Sequence, residues 1–553
     1  MGAKNKIVPY SLIIWILFLI TFFSISAQAA THYVSPSGSA TWANCTNINT
    51  PCSLSTAASN ADDDDIVYLR GGNYGSQQLN PSNSGSSGHV ITFARYKSEK
   101  PSFTRSGGPS IYINGKCYIV IDGLIFSGGT VKQIYLYNSD YNEIKNCTFG
   151  GEESYWAFEL TDSDYNYVHD NTFTAMSAST NESDEKDVLF LSDSDYNRII
   201  SNTFTEGGGH GFIWLTGAWQ DRDGSDYNII RGNTGTVTSY FNGNDKEALD
   251  IFVGAENLSD HNLIEDNIWN LSNNTIAKAV PLQLNRIRAT IYRHNVHNSP
   301  NGIITIYNGG YPYSHNEYNV HYNNTFYNIN KEPWASYIGA WTIEATDGYH
   351  TRYNQMVNNI FHTIGNKGFL SGDTGNYSYI NNNKFRGNVL YNVTGYHVSR
   401  LGSNMTISSA ESSYPAEISN NLTSDPKFNN AANGDFTLQS DSPIIDNGVW
   451  LTTITSTTGS GTSLTVDNPY FFYDGWGIPG ETGDIIKTQN GQTATIISIN
   501  YSTGQITVNK SIGRTNGEGI ALYYQGTGPD IGAKEYSSDD TISAPQSLTI
   551  KAN

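Results

Sequence analysis

Short runs of alternating hydrophobic and polar residues recur along most of the chain, and each run is only four to six residues long. Val188–Leu191, for example, is followed closely by Asn197–Ile200. An alternation with a period of two is typical of β-strands, whereas an amphipathic helix repeats every 3.6 residues. The pattern therefore predicts an all-β chain built from many short strands.

The strand runs belong to a longer repeat that begins with an aromatic residue and Asn and carries a second Asn at its seventh position. That seventh position is occupied by Leu124, Cys147, Asn171, Asn202, Asn233, Asn267, Asn295, Asn324, Asn359, Asn388 and Asn421. Residues 124 to 421 span ten intervals, so the repeat is about 30 residues long. One repeat cannot bury its own inward residues, so successive coils must stack. Stacked amides then form an Asn ladder, in which the Cys147 thiol is expected to be buried.

A second column of polar residues precedes the aromatic position of the repeat. It consists of Asp140, Asp164, Asp195, Asp226 and Asp260. Carboxylates stacked at strand spacing repel one another unless each accepts backbone N–H groups of its own turn. Turn capping is the preferred interpretation, with a ladder of Ca²⁺ ions as the alternative. Arg288 follows at the same position in the next coil, so an ion pair with Asp260 competes with a functional role for that arginine.

The N-terminus has the pattern of a secretory signal peptide. Lys4 and Lys6 precede the apolar run Leu12–Phe23, and Ala27-Gln28-Ala29 follows as a small-residue cleavage site. We therefore expect residues 1–29 to be removed and the mature chain to be secreted, periplasmic or displayed at the cell surface, with no membrane span. A retained anchor is the alternative.

Composition narrows the classes of function. The formal net charge of −20 argues against a nucleic-acid partner, whose phosphates require a basic surface. Four cysteines are present, and export implies an oxidising compartment. Cys45 and Cys52, close in sequence, are predicted to form a disulfide. The absence of a Cys/His cluster in the sequence argues against structural zinc.

The repeat resembles the pectin-lyase-like superfamily of right-handed parallel β-helices over roughly residues 110 to 425. Thr31–Ser39 and Asp65–Gly75 resemble the N-terminal cap of its secreted polysaccharide-processing members, and Asp425–Gly448 with Pro529–Tyr536 resembles their closing segment. The resemblance implies a right-handed solenoid of about ten or more coils, acting on an extracellular polysaccharide. The predicted domains are a cap and first coils (30–110), the β-helix (111–450), an inserted antiparallel β-module (451–526) and a closing segment with tail (527–553).

A candidate groove follows from the strand before each aromatic-Asn turn. Inward pairs such as Ile134/Leu136 and Leu249/Ile251 leave one outward residue between them. The resulting column is Tyr135, Glu159, Phe190, Trp214, Asp250, Gln283 and Thr305. Aromatic faces beside carboxylates suit sugar binding, because the rings stack on the sugar and the carboxylates accept bonds from its hydroxyls. A mixed solvent-exposed face is the alternative.

Loops beside this column supply the candidate catalytic and metal-binding residues. Asp187, His210 and Glu247 fall one coil apart and suit acid–base catalysis together with Asp250. Asp184, Asp187 and Glu247 are the alternative ligands of a Ca²⁺ ion. Arg286 and Tyr307 are further catalytic candidates, and Arg288 is assigned to substrate binding. Solvated charge is the competing interpretation for each of these groups.

Two enzyme families share local features with these residues. Ile291–Asn295 resembles the chondroitinase B and alginate lyase family, although Tyr307 stands where that family has an arginine. Gly209-His210-Gly211, with Asp184 and Asp187 before it and Arg286–Arg288 after it, resembles the order found in polygalacturonases. A lyase that cleaves a uronate-containing polysaccharide by β-elimination is the favoured prediction, with the protein as a monomer. A β-helical hydrolase or epimerase and a non-catalytic glycan-binding adhesin are the alternatives.

Overall fold

The computed structural model describes residues 30–128, 132–151, 157–176, 187–205, 211–217, 224–236, 247–252, 258–271, 282–298, 304–306, 315–329, 340–343, 350–365, 367–371 and 380–537. The predicted signal peptide and the C-terminal tail lie outside these residues. Within them, no helix combines the length and apolar character needed to cross a membrane.

Three long sheets run side by side along the molecule and confirm the predicted β-helix. We call the three sheets A, B and C. In each coil the chain forms one strand of sheet C, then one of sheet A and then one of sheet B, and the strands of successive coils pair in parallel. Sheet A contains Thr31–Val34, Ile66–Leu69, Ile91–Arg95, Ile119–Asp122, Glu143–Lys145, Tyr167–His169, Arg198–Ile200, Ile229–Arg231, Leu263–Glu265, Ile291–Arg293, Val320–Tyr322, Gln355–Val357, Lys384–Arg386 and Ile418–Ser419.

Sheets B and C complete each coil. Sheet B contains Gly72–Asn73, Pro101–Phe103, Ile125–Ser127, Thr148–Gly151, Thr172–Met176, Thr203–Thr205, Thr234–Thr236, Ile268–Asn270, Val296–Asn298, Thr325–Tyr327, Ile360–Ile364 and Val389–Val393. Sheet C contains Ile111–Asn114, Ile134–Tyr137, Phe158–Thr161, Asp187–Ser192, Gly211–Thr216, Glu247–Phe252, Leu282–Asn285, Ile304–Ile306, Trp341–Ile343, Lys367–Ser371, Tyr396–Arg400 and, antiparallel to its neighbour, Ser403–Met405.

Smaller elements close the two ends and the turns. The helix Leu54–Asn60 follows the first strand, and the helix Ile407–Ser413 lies near the last coil. A short ribbon at the turn between sheets C and A contains Ser259–Asp260, Ile287–Arg288, His315–Glu317 and His350–Arg352. Single turns of 3₁₀ helix occur at Trp42–Asn44, Ala431–Asn433 and Pro469–Phe471.

The sequence Ser-Asp-Tyr-Asn recurs at the turn between sheets C and A. Each of its four positions forms a column in which equivalent residues of successive coils interact. In the serine column, the backbone N–H of Ser139 donates to Ser163 Oγ in the next coil over 3.1 Å. In the tyrosine column, the rings of Tyr165 and Tyr196 stack with centroids 4.7 Å apart. These tyrosines adopt positive φ, a conformation that side chains other than Asn, Asp and Gly rarely take. Stacking and coil-to-coil hydrogen bonds therefore hold a strained turn in place.

The aspartate column corrects one detail of the prediction. The carboxylates of Asp140, Asp164, Asp195 and Asp226 each accept a backbone N–H, but the donor is the residue at the equivalent position of the following coil and not the aspartate's own turn. Asp140 Oδ1 accepts from Asp164 N over 2.9 Å, and Asp195 Oδ1 accepts from Asp226 N over 2.7 Å. One N–H therefore lies against each of these four carboxylates, which offsets part of the repulsion along the column, and Asp260 at its end binds Arg288 instead.

The predicted Asn ladder is present at the turn between sheets A and B. Asn233 Oδ1 accepts the backbone N–H of Asn202 over 2.9 Å, and its Nδ2 donates to Ile199 O over 2.8 Å. Cys147 lies at the same position one coil before the first Asn of the ladder, as a buried thiol, as predicted. A second ladder, which the sequence analysis missed, follows the Asn of the aromatic-Asn pair, where Asn166 N donates to Asn197 Oδ1 over 2.8 Å.

We expect Asn233→Ala to lower the free energy of unfolding by about 1–3 kcal/mol, because it leaves the buried Asn202 N–H without its acceptor. Chemical denaturation of the purified protein measures this loss. The matched control is Asn429→Ala, since Asn429 is exposed and outside the ladders. Equal stability of the two variants would contradict a stabilising role for the ladder.

The C-terminal part of the chain covers two of the three outer faces. A six-stranded antiparallel sheet is formed by Thr452–Thr453, Gly459–Thr465, Ile485–Thr488, Thr493–Asn500, Gln505–Arg514 and Gly519–Leu522, and we call it the C-terminal module. It packs on outward residues of sheet A such as Ile229, Leu263 and Ile291. The hairpin Phe428–Asn430 and Asp435–Leu438, with Ile531 and Ala533, packs on sheet B. Neither apolar cluster includes a described residue of sheet C.

A buried ionic network joins the C-terminal module to sheet A. The Arg293 guanidinium binds Asp484 over 2.7 Å and Glu265 over 2.6 Å. Arg231 binds the same Glu265 and reaches Glu481 over 2.9 Å. Although burial opposes it, the two guanidinium groups lower the pKa of Glu265 to about 2. The module is therefore fixed to the solenoid by paired charges as well as by apolar contact.

Candidate functional site

One backbone position of sheet C, the one predicted to face outward, forms a continuous line across successive coils. Strand pairing places Tyr112, Tyr135, Glu159, Phe190, Trp214, Asp250, Gln283 and Thr305 in register with one another. Their flanking residues, including Leu136, Leu160 and Ile213, are fully buried. The line therefore follows the predicted column, at a spacing of about 4.8 Å per coil. Tyr112 extends it by one coil, and the pattern Ile111-Tyr112-Ile113 was the signal that could have identified it.

Side chains are described for the first five of these residues, Tyr112, Tyr135, Glu159, Phe190 and Trp214, which we call the sheet C strip. Two aromatic pairs flank its carboxylate. The rings of Tyr112 and Tyr135 stack with centroids 5.4 Å apart, and Phe190 meets Trp214 edge-on at 5.1 Å. Trp214 and both tyrosines are partly exposed, whereas Phe190 is 9% exposed. The strip thus presents ring surface on either side of one buried acid.

Glu159 is the chemically distinctive residue of the sheet C strip. Only 4% of it is exposed, and its Oε1 accepts a hydrogen bond from Thr161 over 3.0 Å. Its Oε2 forms an ion pair with Lys132. Burial raises the pKa of Glu159, and the pair with Lys132 only partly offsets this effect. A carboxyl group in this position can hold or release a proton closer to neutral pH than an exposed glutamate can.

Lys132 is a site residue that the sequence analysis missed. Its ammonium group lies 4.0 Å from the ring centre of Tyr135, so it contacts both an acid and an aromatic face of the strip. Burial also raises the pKa of Tyr135 to about 12, which keeps its hydroxyl protonated. Lys132 precedes its strand and falls outside the alternating pattern, so no periodicity could have assigned it to this face.

The predicted catalytic loops lie only partly within the described residues. His210, Asp184 and Tyr307 lie outside the described residues. Asp187 and Glu247 begin strands of sheet C, and both lie in register with Gly211, so their backbones are two coils apart on one line. Their side chains, and those of Asp250 and Gln283, are not among the described ones. The acid–base and Ca²⁺-binding roles of these residues stay predictions.

A metal site would need three or more suitable ligands in one place. Among the described residues, no group of His, Cys, Asp and Glu side chains meets that requirement. The side chains of the predicted ligands Asp184, Asp187 and Glu247 lie outside the described ones, so the predicted Ca²⁺ site stays a prediction.

The structure places the two candidate arginines at the edge of sheet C and not on the strip. Arg286 directly follows the strand Leu282–Asn285, has a φ of 61° and is 1% exposed, whereas the strip itself is partly exposed. Arg288 is bound to Asp260, with its Nε 3.0 Å from Oδ2. That ion pair is the structural alternative raised by the sequence. Arg288 therefore lies at the turn beside the strip, held by Asp260, and its role in substrate binding stays a prediction.

The predicted disulfide also differs from the structure, in which Cys45 and Cys52 are both buried free thiols. The Cys45 thiol donates to Trp42 O over 3.2 Å, and the Cys52 thiol donates to Tyr33 O over 3.6 Å. The two thiols are nevertheless neighbours joined by a hydrogen bond. Burial, together with this hydrogen bond to Cys45, raises the pKa of Cys52.

Comparisons with known proteins identify the fold. A family model described as "Right handed beta helix region" matches residues 78–234 and 111–287. No curated protein sequence matches the chain. The predicted resemblance to right-handed β-helices is thereby confirmed at the level of the fold, without a closer family.

Several solved structures are similar to this chain at low sequence identity. The pectate lyase Pel9A is 12% identical, with a TM-score of 0.43, over 92% of this chain and 97% of its own. A PL6 family polysaccharide lyase from Pseudopedobacter saltans is 13% identical, with a TM-score of 0.42, over 70% and 95%. The alginate lyase AlyF-OU02, in complex with G6, is 15% identical, with a TM-score of 0.45, over 70% and 88%.

Proposed function

We propose that this protein is a secreted polysaccharide lyase that binds a uronate-containing polysaccharide along sheet C and cleaves it by β-elimination. The observation that carries the proposal is the sheet C strip, in which two aromatic pairs flank the buried Glu159–Lys132 pair. The strip lies on the one long sheet that the C-terminal clusters leave out. Its length of several coils suits an extended chain of sugar residues.

The residues of the strip have complementary roles in this proposal. The faces of Tyr112 and Trp214 provide apolar surface for sugar rings, and polar groups between them fix the orientation of the sugar. The chain carries a formal net charge of −20, so an anionic polymer requires a local cation. Lys132 supplies that cation beside Tyr135. Exchange of its Glu159 partner for a uronate carboxylate would bind the substrate.

Among the described side chains, the strip holds a single carboxylate, that of Glu159, which favours elimination over hydrolysis there. Glycosidases use two carboxyl groups about 5–9.5 Å apart. The residues next to Glu159 are Tyr135 and Phe190, and the next acid along the line, Asp250, is three coils away, or roughly 14 Å at the spacing of paired strands. Elimination needs no second carboxylate, only a base, a proton donor and charge neutralisation.

In the proposed reaction a base removes the proton α to the uronate carboxylate, the bond to the neighbouring sugar oxygen breaks, and a carbon–carbon double bond forms. The departing oxygen takes up a proton from an acid, so charge and atoms balance. His210, Arg286 and Tyr307 are the candidate bases, and we propose His210 as the base with Asp250 as its acidic partner. Lys132 is proposed to neutralise the substrate carboxylate, which acidifies the proton that is removed.

Incubation with a panel of polyuronates tests this function. We expect the ultraviolet absorbance of the unsaturated product to rise, and His210→Ala and Asp250→Ala to abolish the rise while thermal unfolding stays unchanged. New reducing ends without that absorbance would replace elimination by hydrolysis, and binding without product would leave an adhesin. Full activity in both variants would overturn the assigned chemistry.

A further inference from the structure

We propose a second carbohydrate-binding site, separate from the sheet C strip, in a pocket between the solenoid and the C-terminal module. The pocket has a volume of about 620 Å³, within the range of small-ligand sites. The solenoid contributes Tyr318, Tyr353 and Lys384 to its walls, and the module contributes Asp467, Tyr470 and Tyr501.

Aromatic rings from both parts form one wall of this junction pocket. Tyr318 stacks on Tyr353 of the next coil with centroids 5.0 Å apart and on Tyr470 of the module at 4.9 Å. Tyr470 in turn stacks on Tyr501 at 5.4 Å. Two of these four tyrosines belong to the module, so the complete wall forms only where the module is docked.

The tyrosine column of the solenoid ends at this pocket. Tyr318, Tyr353 and Asn382 occupy the same turn position in successive coils, with φ of 59°, 60° and 58°. Asn382 is exposed and much smaller than a tyrosine. Among the described residues of this column, the Tyr353 ring therefore has an aromatic neighbour on its Tyr318 side and the smaller Asn382 at the next position. Arg352, 5.5 Å from the centre of the Tyr353 ring, is bound to Glu317 of the preceding coil. A pyranose ring fits the role of the missing stacking partner.

Polar groups around this ring complete the chemistry of a sugar site. Asp467 and Lys384 lie on the pocket wall and place one negative and one positive side chain there. The Gln355 amide and the Ser502 and Thr503 hydroxyls also line the pocket. Hydroxyl, amide and carboxylate groups match sugar hydroxyls, and the Lys384 ammonium matches a uronate carboxylate. Aromatic stacking beside such groups favours a saccharide over a purely apolar ligand.

The occupant we infer is a short stretch of the polysaccharide that the sheet C strip binds. Its identity as a uronate rests on the proposed function, whereas the pocket itself does not. The pocket lies at the turn between sheets C and A, so a chain bound there is held beside the sheet C face. A second contact of this kind raises the effective concentration of polymer at the strip.

Isothermal titration of the full chain tests the site, with galacturonate and mannuronate trisaccharides as uronate probes and cellotriose as the neutral probe. We expect at least one uronate trisaccharide to bind at two sites per molecule. Tyr353→Ala should remove one of them, with at least a tenfold loss of affinity. Tyr141→Ala is the matched control, because Tyr141 occupies the same column far from the module and is exposed.

A second variant, which adds a larger side chain, distinguishes loss of the site from loss of the fold. Asn382→Tyr should extend the tyrosine column into the pocket and block the same site without lowering the melting temperature, because the chain already places tyrosine at this turn. Two unchanged sites in both Tyr353→Ala and Asn382→Tyr would overturn the proposal, as would binding of none of the three probes.

The two proposals fail in different ways in this experiment. If Trp214→Ala abolishes all binding, the junction pocket is not a site and the strip stands. If the only binding detected is lost in Tyr353→Ala and kept in Trp214→Ala, the pocket stands and the proposed function of the strip fails. Preference for cellotriose over both uronates would overturn the uronate assignment of the occupant.

Discussion

Replacing Arg293 by alanine is expected to lower the free energy of unfolding by about 3–5 kcal/mol, which is typical for loss of one partner from a buried ion pair. Arg293 is 4% exposed and bridges Glu265 of sheet A and Asp484 of the module. Its removal leaves both carboxylates buried with fewer partners. Asp484 is the more vulnerable, since burial already raises its pKa despite the guanidinium.

Thermal and chemical unfolding measure this loss, and limited proteolysis shows whether the module separates from the solenoid first. The triple variant Arg293→Met, Glu265→Gln, Asp484→Asn removes the charges along with the arginine and should recover part of the stability. Lys427→Ala is the control, because the Lys427–Asp441 pair is exposed and such pairs contribute about 0–1 kcal/mol. A similar loss in both single variants would show that the buried network has no special weight.

The second large effect is expected for Trp214→Ala, which should weaken polysaccharide binding by about 2 kcal/mol, or roughly 30-fold. Trp214 ends the described part of the strip and packs edge-on against Phe190. Its indole is partly exposed, so truncation removes contact surface without opening the core.

Affinity electrophoresis in a gel that contains the intact polyuronate substrate measures this change in binding. Tyr396→Ala is the matched control, because Tyr396 is an exposed aromatic residue of sheet C outside the strip. Unaltered migration of Trp214→Ala would remove the strip as the binding surface. A shift of the same size in Tyr396→Ala would show that aromatic exposure, and not position on the strip, determines binding.

The candidate site shows how far sequence periodicity extends. Alternation within each strand and the 30-residue repeat correctly placed Tyr135, Glu159, Phe190 and Trp214 on one line, because both rules act locally and recur in every coil. The same reasoning assigned Arg288, which lies in a turn, to substrate binding and did not predict a role for Lys132. Residues at turns and in loops follow no such alternation, and their direction depends on contacts with other coils.

The sequence by itself determined the solenoid. Its Ser-Asp-Tyr-Asn turns and Asn ladders repeat the same short side chains at the same position, so each coil is a template for the next, and pattern alone sets the register. Only the tertiary structure decided which faces stay open. The docking of the module joins residues such as Arg293 and Asp484, 191 positions apart, through charge, shape and burial. No repeat encodes such a contact, so neither the buried network nor the junction pocket could be predicted from the order of residues.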